Sequence, residues 1–253
     1  AFANRNFTVG VAMTAVSGAS LFGGTFLLPQ FLGRVRHYSA SEVGTTMIVS
    51  GLSMFLTGPI AGRLVRRTDP RVPMCLGFIL AGWGMYMAHG VTKDWGFWEF
   101  AGVQACRGVG VMIAMIATQQ VTMSTLPPHM VKNASGLVNL ARNTGGAVGL
   151  ALLATSITQQ TALYYDDMTS KVTQGGATAG MMAGLTERMM QLGVADPAGA
   201  ARKAIGGMIE QQATVMAFGD SFTLLAIGCF LAAVVSLFAS PAKNAPPPPS
   251  DAH

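Results

Sequence analysis

Residues 97–125 read FWEFAGVQACRGVGVMIAMIATQQVTMST. From 100 to 123 the run is long enough to cross a bilayer, which takes about 20 mostly apolar residues. Arg107 sits near its middle. At 100° per residue, Gln104, Arg107, Thr118 and Thr122 fall within about 60° of one another. The run therefore predicts an apolar helix with one polar stripe and a charge on that stripe. An arginine at mid-membrane costs about 2.5–3.5 kcal/mol on insertion scales, and is tolerated where it faces a bundle interior or a wet cavity. Two readings stay open. Arg107 either ties helices together through backbone carbonyls or lies on a ligand pathway, with Gln104 one turn away on the same face.

The rest of the chain has the same character. It is 51% hydrophobic and 11% charged, where soluble domains carry about 25% charged residues. Its mean hydropathy is +0.44. These values identify an integral membrane protein. A pI of 9.4 does not imply nucleic acid. The one dense basic cluster, Arg63, Arg66, Arg67 and Arg71, ends an apolar span and has no interleaved aromatics to stack on bases. Cys75, Cys106 and Cys229 lie in apolar runs without metal-ligand spacing and read as small packing residues. The apolar run after Arg5 continues to Leu32, beyond the 7–15 residues of a signal-peptide core.

Six spans are expected, at 7–32, 43–65, 72–91, 100–123, 134–157 and 215–239. Each must be helical, because lipid offers no partner for open backbone groups. The expected layout is helices one to five within 1–157, an extracytoplasmic loop with short helices at 158–214, the sixth helix at 215–240 and a disordered cytoplasmic tail at 241–253. Lysine and arginine in the short connections set the orientation. Arg5, Arg63, Arg66, Arg67, Arg71, Lys132 and Lys243 lie on one side, against Arg34, Arg36 and Lys93 on the other. The richer side, with both termini, is expected in the cytoplasm. Tyr38, Trp95 and Trp98 then anchor the opposite interface. Within 158–214, Gly175-Gly176 reads as a flexible joint and 181–192 as a short amphipathic helix. Asp196-Pro197 is a helix start, with Asp as N-cap and Pro at the first position, and that helix can run on into the sixth span. A connection this long suits a lid or a docking surface.

A second polar stripe, Asn139, Arg142 and Asn143 with Gly146, lies near the cytoplasmic end of the fifth span. It serves either a cavity wall or contacts between helices. Gly145 with Gly149, and Gly58 with Gly62, are small-xxx-small pairs that allow close helix approach. Pro29 suggests a kink near the outer end of the first span. Methionines such as Met112 and Met115 suit either gap filling or a surface that repacks around varied apolar ligands. Glu42 and Asp220 lie at the outer ends of spans, and no carboxylate sits at the centre of one. With no HExxH, GxSxG or phosphate-binding glycine loop in the sequence, neither an enzyme nor a metal site is expected.

Several blocks carry a resemblance. GRLVRRTDPR, from Gly62 to Arg71, resembles the cytoplasmic loop motif of the major facilitator superfamily, in the copy within its C-terminal half. FANRNFTVG (from Phe2), LPQFLGRVRHYSASEVG (from Leu28), ACRGVGVM (from Ala105), ASGLVNLARNTGGAVGLAL (from Ala134) and QQATVMAFGDSF (from Gln211) narrow the match. Together they resemble the last six helices of the fourteen-span drug:proton antiporters of the EmrB/QacA type. The resemblance covers nearly the whole chain.

It implies an all-α membrane fold, the C-terminal six-helix half of a major facilitator. It also implies proton-coupled export of lipophilic or cationic compounds by alternating access, with substrate near the midplane between two halves. The proton gradient is the driving force, and no organic cofactor is implied. The N-terminal half, which carries most acidic coupling residues in this class, is absent from the sequence, so a C-terminal fragment is expected. Some members of the family work with a periplasmic adaptor protein, for which the long outer segment is suited. Gln104, Arg107, Thr118, Asn139, Arg142 and Asn143 are the expected cavity or gating residues. Gly62, Arg63, Asp69 and Arg71 carry the conformational loop motif, unless the arginines serve only as positive-inside anchors. On this reading Arg107 and Arg142 lie on the surface that meets the absent half, and would face lipid without it. The alternatives are a major facilitator exporter of a metabolite or siderophore, and a six-helix scaffold or channel without coupled transport.

Overall fold

The computed structural model describes residues 5–123, 128–174 and 176–238. The expected tail at 241–253, with Lys243, and the Gly175 half of the joint lie outside the described residues, as do the side chains of Arg5 and Lys132. Among the described residues every regular element is a helix. In chain order they are α1 (Arg5–Val35), α2 (Ala40–Arg67), α3 (Arg71–Met87), α4 (Phe97–Met123), α5 (Pro128–Gln174), α6 (Gly176–Gln191) and α7 (Pro197–Ser236).

Local chemistry sets the ends of these helices. Ser39 opens α2 with a capping box: its hydroxyl accepts the Glu42 N–H at 3.4 Å and its own N–H donates to Glu42 Oε2 at 2.8 Å. That exchange satisfies two end groups of the helix at once. Asp196 opens α7 by accepting the Gly199 N–H at 2.9 Å, with Pro197 in the first turn. Gly193 closes α6 at φ 71°, a left-handed position that suits glycine, and the Val194 N–H returns to the Met189 carbonyl at 3.2 Å. α1 runs through Pro29 without a break.

Among the described residues, four helical stretches are long and apolar enough to cross a membrane: Phe7–Val35, Ala40–Arg67, Phe97–Met123 and Pro197–Ser236. The chain is a multi-pass membrane protein. The third expected span is shorter than its apolar run, because α3 ends at Met87 and the chain turns through Ala88 and His89. Its 17 residues make about 26 Å of helix. α5 covers the fifth expected span but carries Asn139, Arg142 and Asn143 within it, which lowers its apolarity.

The connection at 158–214, expected as a loop with short helices, is helical over most of its length. α5 passes through Ile157 and continues to Gln174, because residues 158–174 contain neither glycine nor proline to stop it. α7 begins at Pro197, well before 215. Positions 158 and 215 therefore do not bound helices. At 1.5 Å per residue α5 is about 70 Å long and α7 about 60 Å, so both project far beyond a hydrocarbon core of about 30 Å. α6 packs against α7, with Met181 beside Ile205 and Met208.

In the bundle α4 lies against α1, α2 and α3, while α7 lies against α1, α3 and α5. α2 leans mainly on α4. Phe31 of α1 fixes one level of the core, meeting Phe100 and Phe218 edge-on, each at 5.5 Å between ring centres. Met13, Val65, Met74, Phe78 and Val121 form a second level, toward the opposite end of the bundle. Lipid tails are as apolar as these side chains, so association rests on close packing and on hydrogen bonds between helices. Small residues supply the closeness. A Cβ on Gly145 would overlap the Ala15 backbone, one on Gly149 would lie 2.7 Å from Ala19 Cβ, and one on Gly77 would overlap Ala114. The two small-residue pairs differ. Gly145 and Gly149 mark the α1–α5 crossing, whereas Gly58 approaches only the end of Met112 and Gly62 has open space.

Gly145→Leu should therefore lower the stability of the purified protein by about 1–3 kcal/mol or more, the usual scale for overpacking, while Gly62→Leu should leave it unchanged. Thermal unfolding in detergent, followed by tryptophan fluorescence, checks both. Equal midpoints for the two variants would mean that the α1–α5 crossing does not limit stability.

Candidate functional site

The polar stripe of α4 is buried along its whole length. Gln104 and Arg107 are each 2% exposed, Thr118 1% and Thr122 0%. Three neighbours shape the seat of Arg107. On α3, Gly84 lets the helix backbones approach, for a Cβ there would lie 2.6 Å from the Arg107 nitrogen. On α1, Gly24 leaves room for the guanidinium, since its Cβ would lie 2.8 Å from Nη1. On α2, Ser50 turns its hydroxyl inward and accepts a hydrogen bond from Nη2 at 2.6 Å. Nε donates to Gln104 Oε1 at 3.1 Å.

Among the described residues, neutral side-chain oxygens thus hold the cation, not backbone carbonyls and not a carboxylate. Among the described residues the one ion pair is Lys171 with Asp167, on the exposed face of α5. Nη1 of Arg107, the Gln104 amide nitrogen and the Thr118 hydroxyl are shielded from solvent without a hydrogen-bond partner among the described residues. Gln104 and Arg107 therefore present unused donors in one place, suited to an anion, a carbonyl or water. Thr118 lies eleven residues further along α4, about 16 Å away, at a different depth. Its carbonyl accepts the Thr122 hydroxyl at 2.6 Å.

One expectation is overturned. Arg107 does not lie on a surface that would face lipid, because α1, α2 and α3 enclose it within this chain. Ser50 is the contact that the sequence reading missed. Its signal was the row Thr46, Ser50 and Thr57 at helical spacing in an apolar run, and all three are buried.

The second stripe stands apart. Asn139 and Asn143 are exposed and Arg142 is half-buried. Arg142 Nη1 donates to Asn139 Oδ1 at 3.4 Å, and the Arg142 carbonyl packs against Gly18. Gly18 and Gly24 are six residues apart on α1, so this patch lies about 9 Å along the helix axis from the Arg107 seat.

At the end where α2 meets α3, Arg63 and Asp69 are exposed and Arg71 is half-buried. Asp69 Oδ1 accepts the Arg71 N–H at 3.2 Å, which helps to start α3. Gly62 of the same motif has open space around it. At the opposite end Glu42 is engaged in the α2 cap. Asp220 of α7 accepts a hydrogen bond from the Tyr164 hydroxyl of α5 at 2.6 Å. Tyr164 lies beyond the apolar part of α5, and its phenol is held above the ordinary range, because ionising it would remove the bond to Asp220. That α5–α7 tie was not visible in the sequence, where the two residues are 56 positions apart.

Comparison with known proteins agrees with this architecture. The sequence profile of a family described as "Major Facilitator Superfamily" matches residues 1–150. The colistin resistance protein EmrB of Acinetobacter baumannii is 35% identical over 248 residues, covering 96% of this chain and 48% of that protein. The multidrug export protein EmrB of Haemophilus influenzae is 27% identical over 241 residues, 95% of this chain and 46% of its own length. Its namesake from Escherichia coli is 27% identical over 214 residues, 84% and 40%. The chain spans about half the length of the curated relatives it matches.

The Arg107 seat makes a direct prediction. Ser50→Ala removes one of the two acceptors and should cost about 1–3 kcal/mol, the scale for leaving a buried donor unmet. Ser50→Thr keeps the hydroxyl and should cost less. Thermal unfolding of both variants in detergent tests the bond, and an unchanged midpoint for Ser50→Ala would show that Ser50 does not hold the guanidinium.

Proposed function

The chain belongs to the major facilitator superfamily, and from that premise we propose that it forms the C-terminal six-helix half of a proton-driven multidrug exporter of the bacterial inner membrane. The single observation that carries this reading is Arg107. It is a mid-span cation enclosed by α1, α2 and α3 and held by neutral acceptors alone. A purely structural arginine would be expected to find a carboxylate or a ring of carbonyls. One held by a serine and a glutamine, with donors to spare, can exchange partners at little cost when helices slide.

On this reading α3 and α5 complete six spans, and both termini face the cytoplasm. The partner half supplies the acidic coupling groups, and the proton gradient drives the cycle without an organic cofactor or metal. Lipophilic or cationic compounds pass between the halves. Gln104 and Arg107 act as an internal gate, Thr118 lines the stripe at another depth, and Asn139, Arg142 and Asn143 face the cavity side. The loop motif, Gly62, Arg63, Asp69 and Arg71, pairs with charges of the other half. In support, Arg63, Asp69 and Arg71 form no ion pair with one another among the described residues. The outer acids Glu42 and Asp220 act locally, in the α2 cap and the Tyr164 tie. The names of the relatives, colistin resistance and multidrug export, favour drug-like cargo over a metabolite or siderophore. The projecting parts of α5 and α7, with α6, offer a surface for a periplasmic adaptor protein.

In the full transporter, Arg107→Ala should abolish or narrow resistance to lipophilic and cationic compounds while the protein still reaches the membrane. Drug-stimulated proton flux in vesicles should fall with it. Wild-type resistance to every compound tested would remove Arg107 from the mechanism. Conductance by this chain alone, without drug-coupled proton flux, would replace the exporter by a channel.

A further inference from the structure

Two cavities lie one above the other between the same three helices, α1, α5 and α7. The upper one, of about 810 Å³, opens where α1 ends. Arg34 and His37 line one wall, Thr158 and Thr161 of α5 a second, and Glu210 with Gln211 of α7 a third. Gln211 Nε2 donates to the Val35 carbonyl at 3.2 Å and so pins α7 to the end of α1. His37 is held at φ 55°, an uncommon conformation for a non-glycine residue. The Thr161 hydroxyl is shielded from solvent and has no partner among the described residues. Arg34 and Glu210 carry opposite charges into one space, yet they form no ion pair with each other.

The lower cavity, of about 380 Å³, is lined almost wholly by carbon, with Gly149 and Leu152 of α5 facing Leu224, Gly228 and Leu231 of α7. Ser20 at its back is occupied by the Cys229 thiol, which donates to it at 3.3 Å. Leu152, Leu224 and Leu231 are exposed, so the cleft opens sideways between α5 and α7. Along α5 its upper edge, Leu153, is five residues below Thr158, about 7.5 Å, and along α1 Ser20 is fourteen residues below Arg34, about 21 Å. Half of a hydrocarbon core is about 15 Å.

We propose that this paired cavity binds one phospholipid of the outer leaflet with an amine-bearing headgroup, its phosphate at Arg34 and His37, its ammonium at Glu210, and an acyl chain descending into the α5–α7 cleft. Charge complementarity fixes the headgroup class. A guanidinium and an imidazole on one wall suit a phosphate, and the threonine hydroxyls suit its remaining oxygens. A carboxylate across the space suits a primary ammonium that can donate hydrogen bonds. A quaternary ammonium cannot donate them, and a glycerol headgroup has no cation to offer. The apolar cleft beneath favours a lipid over a free phosphoester. The inference rests on the membrane reading of the bundle and on the proposed orientation, but not on proton coupling or on any cargo.

The test uses the full transporter, delipidated in detergent and titrated in native mass spectrometry with neither drug nor proton gradient. The probes are phosphatidylethanolamine, phosphatidylcholine and phosphatidylglycerol with identical chains, and water-soluble glycerophosphoethanolamine. Phosphatidylethanolamine should bind about tenfold tighter than the other two lipids. Glu210→Gln should erase that preference, and Arg34→Ala should weaken all three. Leu152→Trp, which fills the cleft from a lipid-facing position, should weaken the lipids and leave the water-soluble headgroup unaffected. Glu210 is exposed, so its variant tests recognition without burdening the fold. Equal binding of the three lipids, or a preference that survives Glu210→Gln, would overturn the site. Glycerophosphoethanolamine binding as tightly as the lipid would replace the lipid by a soluble phosphoester. Lost lipid preference with intact drug export would leave the exporter reading standing, and lost export with intact preference would do the reverse.

Discussion

A positive charge buried at mid-span without a negative one beside it is the constraint around which the bundle is built. Water would solvate the Arg107 guanidinium far better than hydrocarbon does, so its place must be provided by surrounding helices. Ser50 comes from α2, Gln104 from α4 itself, and the space from glycines on α1 and α3. Four helices must therefore hold their mutual depth for one side chain to be accommodated. Neutral acceptors satisfy the cation only in part. Two of its nitrogens are bonded, and Nη1 has no partner among the described residues. The seat is thus closed to lipid and yet incomplete in its hydrogen bonding.

Close packing makes this arrangement possible. The α1–α5 contact runs through Gly18, Gly145 and Gly149, and the α3–α4 contact through Gly77, Gly84 and Gly110, at points where a Cβ would meet a neighbouring helix. Such crossings gain dispersion contacts and bring short polar side chains within bonding reach. They also resist small changes, because interdigitated helices do not deform continuously. Motion in such a bundle is expected as sliding of whole helices, and α2, with open space beside Gly44, Gly51 and Gly62, is the least enclosed of the four candidate spans.

Much of this was legible in the sequence, for identifiable physical reasons. The period of the apolar pattern placed Gln104, Arg107, Thr118 and Thr122 on one face, and all four are buried. Asp196-Pro197 marked the start of α7, because cap chemistry is local. What depends on distant partners was not legible. Ser50 is 57 residues from Arg107, and no spacing rule joins them. Tyr164 and Asp220 meet only because two long helices run side by side. Within 158–214, expected as a loop with short helices, the extension of α5 beyond Ile157 was not foreseen, because the apolar run ends there. Polar residues without glycine or proline simply continue a helix into water, as α5 does to Gln174. The enclosure of Arg107 was missed for a related reason: a face can be assigned from periodicity, but which helices cover it cannot.

α2 joins the buried centre to the outside of the molecule. Its inner face carries Ser50 against Arg107. Its opposite face carries Ile48, Leu52, Phe55, Leu56 and Ile60, all more than half exposed, with Phe55 at 78%. These positions form a continuous apolar stripe at helical spacing. Whatever packs against that stripe is separated from the guanidinium by the thickness of one helix, about 10 Å. A slide of α2 by about two residue rises, 3 Å, would carry Ser50 out of hydrogen-bond range and leave a second guanidinium nitrogen unmet. That nitrogen would then need another acceptor, and the neighbouring unmet donors of Gln104 and Nη1 favour an acceptor that several donors can share, such as a carboxylate or a chain of waters. Pressure on an outer apolar face is thereby converted into a change of electrostatic demand at the centre, through one hydrogen bond of 2.6 Å.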